Sequence, residues 1–301
     1  MIDLRKFLLI LACALMVTAT LPMSVSADTG PKPSVVIDFA GLENEVYYAT
    51  LLSEGRSTGP ESAYDAERDN ARYSPSDTDY AIWEKFVSYK DADGFYFLQF
   101  FDECTETAQF KWGYYPPEKF KILLYFPEKD SFAVSSEIFE RYAFDSYYTV
   151  RLSGDGIQVS ANVGGGMVVV KSYNYGREIF SLIVRIILTI AIEVLVALAF
   201  GFRSRKQLRL IQYANIGTQV LLNVALNYVN YKAGGMLYVF AYVFLELVVF
   251  AFEAAFYAFG LSKYGEGKTA RKGYNVLYAA VANAASFGVG LALSYIIPMA
   301  F

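Results

Sequence analysis

Histidine is absent from the 301 residues, and cysteine occurs twice. Without histidine there is no Ser-His-Asp triad, no imidazole acid–base chemistry and no Cys/His zinc site, and two cysteines do not make a disulfide framework. Charge is scarce as well: Asp, Glu, Lys and Arg make up 19% of the chain, where a soluble globular protein has roughly a quarter. Hydrophobic residues reach 55%, aromatic residues 17%, and the mean hydropathy is +0.29. That is more apolar material than one soluble core needs, and it predicts membrane spans. Gly-x-Ser-x-Gly and Walker sequences are also missing, so the chain has neither the nucleophile elbow of a hydrolase nor a P-loop.

The net charge of −4 averages two unlike halves. Residues 28–177 hold 14 Lys and Arg against 24 Asp and Glu, a net of −10, whereas residues 178–301 hold 10 against 5, a net of +5. An acidic half joined to a basic, apolar half predicts a two-part protein. A surface as negative as the first half repels phosphates, so nucleic acid is excluded as its partner.

Arg5 and Lys6 precede an apolar run from Phe7 to about Thr18, and Val25-Ser26-Ala27 precede Asp28. This order, charged region, apolar region and small residues, predicts a secretory signal peptide over 1–27, cleaved after Ala27. An uncleaved anchor is disfavoured because the run is short for a span. Lipidation at Cys13 is disfavoured because only about six apolar residues precede it and the run continues beyond it. Cys104 is then the one remaining thiol, expected as a buried small apolar residue.

Residues 28–174 predict an exported, mainly β, sandwich-like domain. Seven segments rich in branched and aromatic residues (34–39, 45–52, 94–101, 108–114, 119–126, 146–152 and 157–173) are separated by Gly, Pro, Asp and Ser. Helical turns are expected at 78–88 and 135–142, and a long mobile loop at 54–76. Two features have a functional and a bland reading. Trp112-Gly113-Tyr114-Tyr115-Pro116-Pro117 would form an aromatic shelf for a sugar or a Pro-stiffened turn, and the turn is preferred. Asp91, Asp93, Asp102, Glu103 and Glu106 would hold calcium or form a solvated acidic surface. With no D-x-[DN]-x-[DN]-G loop, the solvated surface is preferred, and the metal question stays open.

After Arg177 four apolar segments follow, 179–202, 210–231, 236–261 and 274–301, each long enough for roughly 30 Å of hydrocarbon. They predict a four-helix transmembrane bundle over 175–301. The turn at 203–209 holds four positive charges and that at 263–272 four more, with only Lys232 between the middle spans. The positive-inside rule therefore places both basic turns in the cytoplasm, and the β domain and the C-terminus outside the bacterial plasma membrane.

The spans read as two copies of one hairpin. Glu193 lies ten residues before Arg203, and the returning segment carries Ala214-Asn215-x-x-Thr218. Glu253 lies ten residues before Lys263, and its returning segment carries Ala282-Asn283-x-x-Ser286. Ten helical residues put each Glu about 15 Å from the cytoplasmic end, near mid-membrane. Glu246 lies two turns from Glu253, and Asn215, Gln219, Asn223 and Asn227 recur every four residues. Facing lipid, an ionised carboxylate would cost ~3 kcal/mol or more, so these faces are expected to turn inward. Glu193, Asn215, Thr218, Glu246, Glu253, Asn283 and Ser286 form the candidate site. Its readings are a functional carboxylate site for a proton or cation, hydrogen bonding that fixes the bundle, and docking of a polar partner helix. Arg185, eight residues from Glu193, is a candidate counter-ion.

Several passages resemble those of uncharacterised bacterial membrane proteins that pair an exported β domain with four C-terminal spans. They are Tyr47-Tyr48-Ala49-Thr50-Leu51-Leu52-Ser53 with Ser57-Thr58-Gly59-Pro60, then residues 114–121, and Glu193 with Asn215, Thr218 and Gln219. The resemblance implies this architecture and no activity. Two functions follow. The first is a binding and coupling, or cation-conducting, membrane component whose exported domain meets an envelope or protein partner. The second is an intramembrane enzyme with Glu246 and Glu253 as acid and base, ranked lower because no metal site, histidine or nucleophile accompanies them. No cofactor is expected; membrane lipid is the expected surrounding partner, and the oligomeric state is open.

Overall fold

The computed structural model describes residues 31–152 and 167–296. The expected signal peptide, the first part of the expected 157–173 strand and the last residues of the expected fourth span lie outside them. The chain divides into two compact units, one of Pro31–Asn174 with Asn230–Gly234, the other holding Tyr175–Val229 and Gly235–Phe301.

The first unit is β-rich. Its strands are β1 (Ser34–Ala40), β2 (Tyr48–Ser53), β3 (Tyr96–Phe97), β4 (Asp102–Glu103), β5 (Gln109–Trp112), β6 (Lys119–Phe126), β7 (Ser131–Val134), β8 (Phe139–Glu140), β9 (Asp145–Leu152) and β10 (Met167–Lys171), with one helix, α1 (Tyr80–Ser88). One sheet has the order β10-β9-β1-β5; the other runs β3-β2-β6-β7, with β4 on β2 and β8 on β6. The pairing is antiparallel except between β1 and β9, which run parallel.

Alternation along the strands explains why one chain makes two cores. Val35, Ile37, Phe110, Trp112, Tyr148 and Val150 of the first sheet meet Ala49, Leu51, Phe120, Ile122, Leu124 and Phe126 of the second in one cluster. The opposite faces of β2 and β6 bring Leu52, Leu123 and Tyr125 against Trp83 and Phe86 of α1. A strand covered on both sides needs an apolar run, and β6 has one over residues 122–126; every residue after Lys119 is buried, Lys121 included.

Two sequence expectations fail here. Residues 135–142 form no helix: Ser135 Oγ accepts from the Ile122 amide at 3.0 Å, and Phe139 pairs with Phe120, so backbone groups a helix would use internally go to β6 instead. Residues 54–76 lack regular structure as expected, yet they are tied down. Buried Gln99 accepts from the Arg72 amide and from Trp83 Nε1, and donates to the carbonyls of Ser62 and Asn70, while Tyr64 and Tyr73 pack on Trp83.

The second unit is helical: α2 (Tyr175–Ala199), α3 (Arg205–Gly260) and α4 (Lys272–Ile296). α3 is two arms broken at Gly234, whose φ of 76° and ψ of −179° suit glycine alone. The expected outer loop of four residues is thus a break at one. α2 closes in a Schellman motif. Gly201 takes φ +85°, its amide donates to the Leu198 carbonyl, and the Phe202 amide donates to the Ala197 carbonyl at 3.0 Å. Two stretches, Tyr175–Ala199 and Met236–Tyr264, are long and apolar enough to cross a membrane.

Candidate functional site

The helical unit buries a set of polar residues among apolar ones and exposes large apolar side chains. Glu193, Asn215, Glu253, Asn275, Tyr257 and Tyr278 are fully buried, whereas Leu195, Tyr213 and Leu221 are 66%, 71% and 74% exposed. In water that distribution wastes the hydrophobic effect. Residues 210–231 are less apolar than the stretches Tyr175–Ala199 and Met236–Tyr264, since they carry Asn215, Thr218, Gln219, Asn223 and Asn227.

Glu193 comes from α2, Asn215 and Thr218 from the first arm of α3, Glu253 and Tyr257 from its second arm, and Tyr278 and Asn283 from α4. Asn215 Nδ2 donates to Glu193 Oε2 at 2.6 Å and to the Ile211 carbonyl at 3.0 Å, with the Tyr257 hydroxyl also at 3.0 Å. Glu253 accepts twice, at Oε1 from Thr218 Oγ1 at 2.6 Å and at Oε2 from Asn283 Nδ2 at 2.8 Å. Tyr278 donates to the Glu193 carbonyl at 3.3 Å. The two acid–amide contacts repeat in detail: each Asn also donates to the carbonyl four residues before it, Ile211 or Ala279, at 3.0 Å. Thr218 joins them, since it donates to Glu253 and lies 3.3 Å from the Asn215 carbonyl.

Five of the seven candidate residues, Glu193, Asn215, Thr218, Glu253 and Asn283, therefore meet in one layer. The other two do not. Glu246 is hydrogen-bonded to Tyr242, and Ser286 donates to the Asn283 carbonyl of its own helix. Arg185 is not the counter-ion of Glu193: its guanidinium donates to Tyr238 and Ser181. Tyr257 and Tyr278 complete the layer. Their spacing from Glu253 and Asn283, four and five residues, was the signal for them, but a tyrosine in an apolar helix reads equally well as packing.

In the β-rich unit two of the five clustered acids, Asp91 and Asp93, meet a lysine, while Asp102, Glu103 and Glu106 are exposed. Lys121 Nζ lies 2.8 Å from Asp91 Oδ1 and 2.8 Å from Asp93 Oδ2, and its side chain is 4% exposed. Among the described residues no group of acids, cysteines or histidines is arranged to hold a metal ion. Trp112 is buried and its Nε1 donates to the Tyr114 carbonyl, so only Tyr114 and Tyr115, ring centres 5.1 Å apart and edge-on, face outward. Cys104 is buried, and burial pushes its thiol up to about 12, the inert state of a packing residue.

Comparison with protein-family models, with curated proteins and with solved structures gives no match for the chain. Fold and site together describe a β-rich unit joined to helices, two of them able to span a membrane, with a carboxylate–amide layer at the helical core.

Proposed function

We propose that this chain is a multi-pass plasma-membrane protein whose β-rich domain recognises an envelope component or protein partner outside the cell, and whose helical unit holds a proton or small cation on Glu193 and Glu253. The observation that carries the reading is the layer itself: two fully buried carboxylates, one on α2 and one on the second arm of α3, supplied with donors from the first arm of α3 and from α4, inside a unit whose large apolar side chains face outward. In hydrocarbon that outward face is solvated, and the buried carboxylates cost enough that purely structural bonding would be served better by amides. The repeated Glu–Asn contact supports two parallel hairpins and a four-span bundle. The enzyme reading gains nothing from the geometry, because Glu246 and Glu253 share no hydrogen-bond partner among the described residues.

Two measurements test this. A reporter fused after Phe301 is expected to be active only if it functions outside the cytoplasm, because the two basic turns stay inside; cytoplasmic activity would overturn the four-span topology. In vesicles containing the full chain and a pH-sensitive dye, an imposed potential is expected to drive proton or cation entry faster than in protein-free vesicles, with at least about a tenfold loss in Glu253→Gln, which cannot titrate. Wild-type rates equal to those of protein-free vesicles would remove conduction and leave binding and coupling.

A further inference from the structure

Two acceptors in the layer, Glu193 Oε1 and Asn215 Oδ1, lack a hydrogen-bond partner among the described residues, although both residues are fully buried. An unpaired buried acceptor is costly, and two on residues already in contact call for one donor between them. Rotation of the Asn215 amide does not supply it. The Ile211 carbonyl lies 3.0 Å from Nδ2, and turning the amide over would set two acceptor oxygens against each other at that distance. Nδ2 therefore faces Glu193 Oε2 at 2.6 Å, and Oδ1 is the atom in need of a donor.

We infer that Glu193 carries the proton of the carboxylate pair and that Asn215 is its acceptor, the two side chains joined edge to edge by Nδ2–H to Oε2 and Oε1–H to Oδ1. This deepens the proposed carboxylate site and rests on that reading. Both unpaired acceptors are satisfied by one proton, and no other group has to move. Glu253 is built the opposite way: both its oxygens already accept, from Thr218 and Asn283, so those donors stabilise its carboxylate form. The titratable groups acting on Glu193 are Glu253, Glu246 and Tyr257 from the second arm of α3 and Tyr278 from α4, all acids or phenols. Of the two cations on its own helix, Arg177 and Arg185, the one nearer in sequence, Arg185, is engaged by Ser181 and Tyr238. One negative charge between two carboxylates is what such surroundings accommodate.

Infrared spectroscopy of the full chain in detergent at neutral pH tests this through the carbonyl stretch of a protonated carboxyl. The band is expected in wild type and in Glu253→Gln, and lost or much reduced in Glu193→Gln, where the new amide reproduces the acid's donor and acceptor. Asn215→Ala is expected to shift it to higher frequency and Asn283→Ala to leave it in place, a comparison that stands even if Glu193→Gln does not assemble. A wild type without the band, a band of full intensity in Glu193→Gln, or a band shifted by Asn283→Ala and not by Asn215→Ala would overturn the assignment. Because no flux is read, silent vesicles with the Glu193 band intact would remove conduction while leaving the proton where it is placed here.

Discussion

Replacing Lys121 with alanine is expected to destabilise the β-rich unit by about 3–5 kcal/mol, the cost of leaving a buried charge without its partner. Lys121 lies on β6, the strand buried on both faces, and the Asp91 side chain that it meets at 2.8 Å is 1% exposed. Asp93, the second partner, is 57% exposed and recovers much of its solvation when the lysine is removed. The loss therefore falls on Asp91, and Asp93→Asn is expected to matter far less. Asp91 Oδ2 also accepts from the Asp93 and Phe95 amides, so asparagine at 91 keeps the turn while removing the charge. The double variant Lys121→Met with Asp91→Asn is accordingly expected to be more stable than Lys121→Ala, as read by denaturant midpoint. Burial pushes the Lys121 ammonium down, but its hydrogen bonds to Asp91 and Asp93 outweigh that and hold it above the ordinary lysine range. A raised lysine contributes fully below its unfolded value, so the effect is present at neutral pH and fades only as strongly alkaline pH rises through the folded value.

Much of the β-rich fold was legible because alternation and apolar runs report burial directly. The 34–39, 119–126 and 146–152 segments appear as β1, β6 and β9 nearly to the residue. What sequence could not report is which neighbour takes a backbone hydrogen bond. Residues 94–101 are as apolar as any strand, yet only Tyr96–Phe97 pair, because Gln99 enters the left-handed region at φ 62° and turns its side chain onto the 54–76 loop. The acidic cluster was read as a solvated surface, since nothing in residues 91–106 indicates that Lys121, 28 residues beyond Asp93, comes to it.

The candidate site was more legible than its surroundings. A carboxylate in an apolar helix must find donors, and Asn at matching positions of two hairpins made Glu193, Asn215, Glu253 and Asn283 candidates from composition and spacing. The pairing of Glu193 with Asn215 and of Glu253 with Asn283 is read from the structure. Rotation about the helix axis was less legible. It sends Ser286 to its own backbone and Glu246 to Tyr242, and it brings Thr218 across to Glu253. Arg185 illustrates the limit, because spacing alone offered Glu193 as its partner and Tyr238 lies far along the chain.

The central claim is that the buried carboxylates titrate in the folded helical unit, and the pH dependence of thermal unfolding tests it most directly. Gln in place of Glu193 keeps an acceptor for Asn215 Nδ2 and a donor for Asn215 Oδ1 in nearly the same shape, so the bundle should fold without loss of stability. A neutral amide exchanges no proton, however, and linkage ties the slope of stability against pH to protons exchanged on unfolding. The measurement is the unfolding temperature of the detergent-solubilised full chain, wild type and Glu193→Gln, from about pH 5 to 8, where a buried carboxyl in such a layer is able to change state. The account predicts a wild-type profile that changes by several degrees across the range and a distinctly flatter one for the variant. Superimposable profiles would contradict it and leave Glu193 as a structural hydrogen-bonding group.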